Sequence, residues 1–224
     1  KFFITSMWAC FHGGYIAVPI DNGSNDTKAQ TIKYILDSMK NPYVICDSFS
    51  KEYYFGEYAD KVFDITGIDI ETEDIICEPP VDMKPDDIFY ILHSSGSTGT
   101  PKSIAISFKN VVVNAQSVIR KYKVEDKDVF VTWQPITHCF GLIVFHFVPL
   151  IANSDQVFIP TADFMKDPLV CLRKLDMYHG TMFGMIPFAL KRFTNYYRKS
   201  KKNLQCDLSS LRGIFIGGEQ INAE

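Results

Sequence analysis

The chain has 224 residues, 46% of them hydrophobic and 22% charged, with a net charge of -3 and a pI near 6.0. That length suits one large domain or one and a half small ones, and it buries a core without covalent staples. The acidic balance argues against a nucleic-acid binder, which carries a basic domain.

Helices and strands alternate along the chain. Residues 2–11 read as a helix stopped by Gly13 and Gly14, followed by an apolar strand over 15–20. Residues 26–40 have helical spacing, with Ile32, Ile35, Leu36 and Met39 on one face. A strand is expected over 43–46, a helix over 51–59 and a strand over 62–65. The acidic stretch 67–84 holds Pro79 and Pro80 and reads as a connecting loop, with a possible sub-domain break near 67–86. A strand over 87–92 leads into a polar loop, with a return strand over 103–106. A helix over 108–122 follows, with Ser107 a candidate cap.

The second half continues the alternation. Strands are expected over 129–133, 156–159, 181–185 and 213–216, and helices over 140–151, 168–178 and 187–199. The last of these has Pro187 at its start, a favourable place for proline. The pattern predicts an α/β layered fold, mostly parallel sheets flanked by helices. The longest apolar stretch, 140–152, is too short to cross a bilayer. No signal peptide is visible. The six cysteines include no C-x-x-C pair and fit reduced thiols in a cytoplasmic protein. The chain begins without Met inside a helix and stops just after a strand, so both ends are expected to be cut.

The chemistry concentrates in the run Ser94, Ser95, Gly96, Ser97, Thr98, Gly99, Thr100, Pro101, Lys102. A strand runs into a loop of hydroxyls and glycines that ends in lysine. Glycines bring backbone N–H groups close to an anion, hydroxyls add neutral donors, and Lys102 adds positive charge. Together they suit a triphosphate. A Walker loop counted from Gly96 would need glycine at Pro101, which has no N–H to donate, so that alternative is disfavoured. A solvated Ser/Gly linker is the bland alternative.

This run resembles the signature loop of the adenylate-forming superfamily, T/S-S/G-G-S/T-T-G-x-P-K-G. Ser103 departs from it where glycine is usual. Three further segments agree in order. Gly14 to Ile20 resembles the family's GG-x-x-x-P strand. Trp133, Pro135, His138, Gly141 and Leu142 resemble the W-x-P-x-x-H-D-M-G-L-I segment of fatty acyl-AMP ligases. Leu211 to Glu219 resembles the L-R-x-x-x-x-G-G/A-E strand and turn. The chain is thus similar throughout to part of the large N-terminal domain of acyl-CoA synthetases, fatty acyl-AMP ligases and adenylation domains of peptide synthetases.

The resemblance implies an enzyme that joins a carboxylic acid to ATP, with Mg2+, releasing pyrophosphate and leaving an acyl-adenylate. A thiol acceptor, CoA or carrier-protein phosphopantetheine, then takes the acyl group. It assigns the β- and γ-phosphates to Ser94, Ser95, Gly96, Ser97, Thr98, Gly99, Thr100 and Lys102. His138 is placed beside the acyl and phosphate sites, which makes Lys102 and His138 the candidate catalytic residues. Gly217, Gly218 and Glu219 would line the nucleotide and acyl pocket. No metal ligand is singled out. Without the family, His138 reads as a histidine satisfied at a helix start, and Gly217 to Glu219 as an ordinary strand-end turn.

Amino-acid-activating domains place Asp at the position of Cys139, where it pairs with the substrate ammonium. An uncharged Cys139 points to a fatty or other simple carboxylic acid, since an unpaired ammonium is costly in a pocket. An amino-acid-activating domain and a degenerate, non-catalytic domain remain the alternatives. Phe140, Phe145, Phe147, Phe183 and Phe188 are candidates for an acyl tunnel, with plain core the favoured reading. The basic run over 191–202 reads as a solvated helix face rather than a nucleic-acid patch. The family's Tyr-Gly-x-Thr-Glu stretch, ribose-binding Asp, hinge and small C-terminal domain with its catalytic Lys do not occur in these 224 residues. Weak ATP binding and little turnover are therefore expected of the chain by itself.

Overall fold

A computed structural model describes residues 2–20, 26–47, 60–68, 79–94, 102–200 and 205–220. The chain divides into two compact units, Lys1–Phe108 and Lys109–Glu224.

In the first unit, α1 (Phe2–His12) buries Met7 and Phe11. It ends as the two glycines predict. Gly14 takes φ +73°, the Tyr15 N–H donates to the Cys10 carbonyl at 2.8 Å, and the Gly14 N–H donates to the Phe11 carbonyl at 3.2 Å. These two bonds form a Schellman cap, which needs a residue free to enter the left-handed region. The expected strand over 15–20 is only an extended segment with one parallel bridge, Ala17 to Tyr90. Pro19 has no N–H to continue a ladder, so pairing stops there.

Helix α2 (Asp26–Asp37) buries Ile32 and Leu36 against Ile20, Val44, Cys46 and Val62. Beneath it, β1 (Val44–Cys46) and β2 (Val62–Asp64) pair in parallel. The helix expected over 51–59 lies outside the described residues. Next come β3 (Ile88–Ser94) and β4 (Lys102–Ser107), an antiparallel hairpin. Its stem is anchored by Phe89, whose ring stacks on Phe11 with centroids 3.6 Å apart.

The second unit takes all but the first residue of α3 (Phe108–Tyr122). Its sheet has the order β6-β5-β7-β8, all parallel, with β5 Val129–Thr132, β6 Asp155–Phe158, β7 Met182–Met185 and β8 Gly213–Ile216. Every residue of central β7 is buried, as a parallel strand covered on both faces requires. One face packs Val131, Phe183 and Met185 against Phe164, Cys171, Leu175 and Ala189. These last four come from α6 (Thr161–Lys166), α7 (Val170–Met177) and α8 (Pro187–Ser200). The other face packs Phe130 and Met182 against Ala115, Phe145 and Val148.

The apolar run expected as one buried helix over 140–151 is two. Residues Phe140–Phe147 form a π-helix, α4, and Val148–Ala152 an α-helix, α5. The wide turn of α4 shows where the Val148 N–H reaches back five residues to the Ile143 carbonyl. Phe145 from α4 sets the tip of its ring over Gly184, where a Cβ would come within 2.2 Å of it. Phe145, Phe147 and Phe183 are core, whereas Phe188 is exposed.

The N-terminal ends of three strands are tied together. Asp128, Thr181 and Arg212 stand just before β5, β7 and β8. Asp128 is buried; it accepts from Arg212 Nε at 2.9 Å and from the Thr181 hydroxyl at 2.6 Å.

Candidate active site

The sequence motifs fall into two groups, one in each unit. In the first unit, the hairpin register places Ser94 directly opposite Lys102. The two-stranded stem therefore ends at this pair, with Lys102 exposed. Ser95, Gly96, Ser97, Thr98, Gly99, Thr100 and Pro101 lie outside the described residues. One step down the stem, the Ser103 hydroxyl sits 3.1 Å from His93 Nε2.

In the second unit, three chain segments leave the sheet at the C-terminal ends of β5, β7 and β8. Open parallel sheets bind ligands at that edge. After β5 the chain makes a tight turn. The His138 N–H donates to the Pro135 carbonyl at 3.1 Å, and the Leu142 N–H donates to the His138 carbonyl at 2.9 Å. Gly141 is what permits the turn, because a Cβ there would lie 2.3 Å from the Pro135 oxygen. His138 is exposed. Its Nδ1 accepts the Phe140 N–H at 3.3 Å, which makes Nε2 the proton-bearing nitrogen of the neutral ring.

Cys139 Sγ lies 3.8 Å from the same Nδ1. The thiol contact pushes His138 above the usual imidazole range, with partial burial acting against it. In return the imidazole pulls the Cys139 thiol below its ordinary value, again against burial.

After β7, Ile186 leads into α8 through Pro187. After β8, Gly217 and Gly218 make a turn in which Gly218 takes φ +86°. The Glu219 carboxylate then accepts the Phe188 N–H at 3.1 Å. Pro187 has no N–H, so Phe188 is the first free donor of α8, and a carboxylate there also meets the positive end of the helix dipole. The Phe140 ring approaches to 4.0 Å of where a Cβ on Gly217 would stand. Gly217, Gly218, Glu219 and the His138 turn thus belong to one edge of one sheet.

Several of these contacts are not visible in the motifs. The only sequence signal for the Glu219 cap is the proline that opens α8. The His93–Ser103 pair had a hint in Ser103, the position at which the loop departs from its pattern. Among the described residues no group of three or more histidines, cysteines or carboxylates is placed to hold a metal ion. No helix among them is long and apolar enough to cross a membrane.

Comparison with known proteins agrees with this arrangement. Residues 2–224 match the family described as AMP-binding enzyme. The chain is 27% identical over 168 residues to the medium-chain-fatty-acid–[acyl-carrier-protein] ligase TtuA of Teredinibacter turnerae, covering 74% of this chain and 26% of that protein. It is 23% identical over 231 residues to the long-chain-fatty-acid–AMP ligase FadD32 of Mycolicibacterium smegmatis, covering 99% of this chain and 36% of that protein. The chain thus spans well under two thirds of these relatives.

In fold it is similar to a fatty acyl-adenylate ligase from L. pneumophila in complex with acyl adenylate and pyrophosphate. The TM-score is 0.88 at 23% identity, over 99% of this chain and 39% of that one. McyG A-PCP complexed with phenylalanyl-adenylate is similar too, with a TM-score of 0.86 at 22% identity, over 98% of this chain and 36% of that one. Motif order, fold and family match converge: this chain belongs to the AMP-binding enzyme family.

Proposed function

We propose that the chain supplies the nucleotide-binding part of an enzyme that activates a fatty or other non-amino carboxylic acid with ATP. The product is an acyl-adenylate, passed on to the thiol of CoA or of a carrier-protein phosphopantetheine. The observation that carries the reading is the hairpin register of Ser94 and Lys102. It pairs the two residues that bound the Ser/Gly-rich run and sets a cation beside it, a composition that fits a polyphosphate.

On this reading, Ser94 to Thr100 donate to the β- and γ-phosphates. The Lys102 ammonium balances the charge that builds on the departing pyrophosphate. Mg2+, bound with the nucleotide, supplies further charge neutralisation. His138 offers Nε2–H as a donor at the sheet edge. Gly217 and Gly218 keep that edge open to the nucleotide and acid, and Glu219 fixes their turn by capping α8.

The acid class rests on TtuA and FadD32, both named for fatty acids. Cys139 brings no fixed negative charge to pair with an α-ammonium, but it departs from both patterns, since the fatty acyl-AMP ligase segment also has Asp at that position.

Titration with two non-hydrolysable adenylate analogues tests the proposal, one fatty-acyl and one aminoacyl. Binding of the fatty-acyl analogue at least tenfold more tightly is expected. Preference for the aminoacyl analogue would favour an amino-acid-activating domain, and binding of neither would favour a degenerate one. The 224-residue chain alone is expected to bind MgATP weakly and to show little carboxylate-dependent ATP–pyrophosphate exchange.

A further inference from the structure

The stem of the phosphate loop carries a pair that the motif does not provide. His93 and Ser103 stand opposite one another on β3 and β4, one register step from Ser94 and Lys102. Cross-strand partners share one face of a hairpin, and here the Ser103 Oγ comes within 3.1 Å of His93 Nε2. His93 Nδ1 is buried and has no hydrogen-bond partner among the described residues.

The pattern of the family has glycine where this chain has Ser103. Glycine would leave Nε2 of His93 without this partner, in a strand made less rigid by the missing side chain. With Nε2–H donating to the hydroxyl, the buried Nδ1 carries the lone pair. That arrangement needs a neutral imidazole, and burial lowers the His93 pKa accordingly.

We propose that His93 and Ser103 form a latch that orders the stem of the phosphate loop before nucleotide arrives. The inference rests on the phosphate-binding role proposed above. His93 and Ser103 are positioning residues: they act through the backbones of Ser94 and Lys102 and touch no phosphate themselves. A stem already held in register loses less conformational entropy on binding, so the latch strengthens nucleotide affinity without adding a contact.

The test is a double-mutant cycle on the 224-residue chain, read by MgATP titration in NMR and by thermal unfolding, at a temperature where every variant is folded. Ser103→Ala and His93→Ala are each expected to weaken MgATP binding about fivefold, the factor carried by a strong cross-strand pair. The double variant should bind no more weakly than either single one, and Ser103→Thr, which keeps the hydroxyl, should bind like the parent. A general loss of packing would lower the unfolding temperature without this affinity pattern. Parent-like MgATP binding by Ser103→Ala, or single losses that multiply in the double variant, would overturn the latch alone. Absence of MgATP binding by the parent chain would overturn the phosphate-binding role and the latch with it.

Discussion

Asp128 and Arg212, 84 residues apart in sequence, close the N-terminal end of the second unit's sheet. Arg212 grips both carboxylate oxygens of Asp128 and donates to the Lys123 carbonyl at 3.0 Å, while Thr181 donates to Asp128 from the strand between. The opposite end of the same strands carries His138 and Glu219. Structural charge is thus spent at one edge and the candidate chemistry sits at the other.

Breaking this clamp on one side leaves the buried Asp128 carboxylate with neutral donors only, Thr181 and the Glu125 N–H. Arg212→Ala is expected to destabilise the second unit by about 3 kcal/mol, and urea unfolding followed by tryptophan fluorescence measures it. The pH dependence has a definite sign. Burial opposes the charge on Asp128, but the bonds from Arg212 and Thr181 outweigh it and hold the pKa below the ordinary carboxylate value. The stability from this group is therefore complete above the unfolded-state pKa of about 4 and is lost as pH falls through the lower folded value. In Arg212→Ala that acid dependence should shrink.

Gly141→Ala is expected to be severe. The added methyl meets the Pro135 backbone oxygen at 2.3 Å, and backbone cannot swing aside as a side-chain tip can. A cost of about 2 kcal/mol or more and displacement of His138 follow, read by unfolding and by the histidine's NMR shifts.

Loss of the cap at α8 should be milder. Glu219→Ala removes the acceptor of the Phe188 N–H and is expected to cost about 1 kcal/mol. Its larger effect should fall on adenylate-analogue affinity, because the Gly217–Gly218 turn is no longer tied to the start of α8. Equal affinities for parent and variant would place Glu219 outside the site.

Thiol chemistry separates Cys139 from the buried cysteine. Burial pushes Cys171 up to about 12, whereas the contact with His138 lowers Cys139. Iodoacetamide at pH 7 is therefore expected to label Cys139 well before Cys171, and His138→Ala should slow that labelling. Peptide mapping over a time course gives both rates.

The buried parallel strands of the second unit were legible because their apolar runs are short, bounded and rich in β-branched or aromatic residues, as Val129 to Thr132 shows. Helix α6 escaped notice because six residues are too few for a period to register. The strand expected over 15–20 failed on Pro19, a backbone effect that side-chain hydropathy does not report. The wide turn of α4 was invisible for a related reason, since apolarity on all sides marks burial and not hydrogen-bond spacing. The candidate site was legible only where a motif binds several positions together, as in Gly217 to Glu219. Asp128 with Arg212 is a partnership of tertiary structure, and no local spacing announces it.

The most direct measurement is MgATP titration of the chain and of Lys102→Ala, followed by the amide shifts of Ser94 and Lys102. Saturable shifts at both stem residues in the parent chain, with affinity reduced at least tenfold in Lys102→Ala, are the predicted result. Unperturbed stem amides, with the nucleotide's effects confined to other residues, would contradict the account.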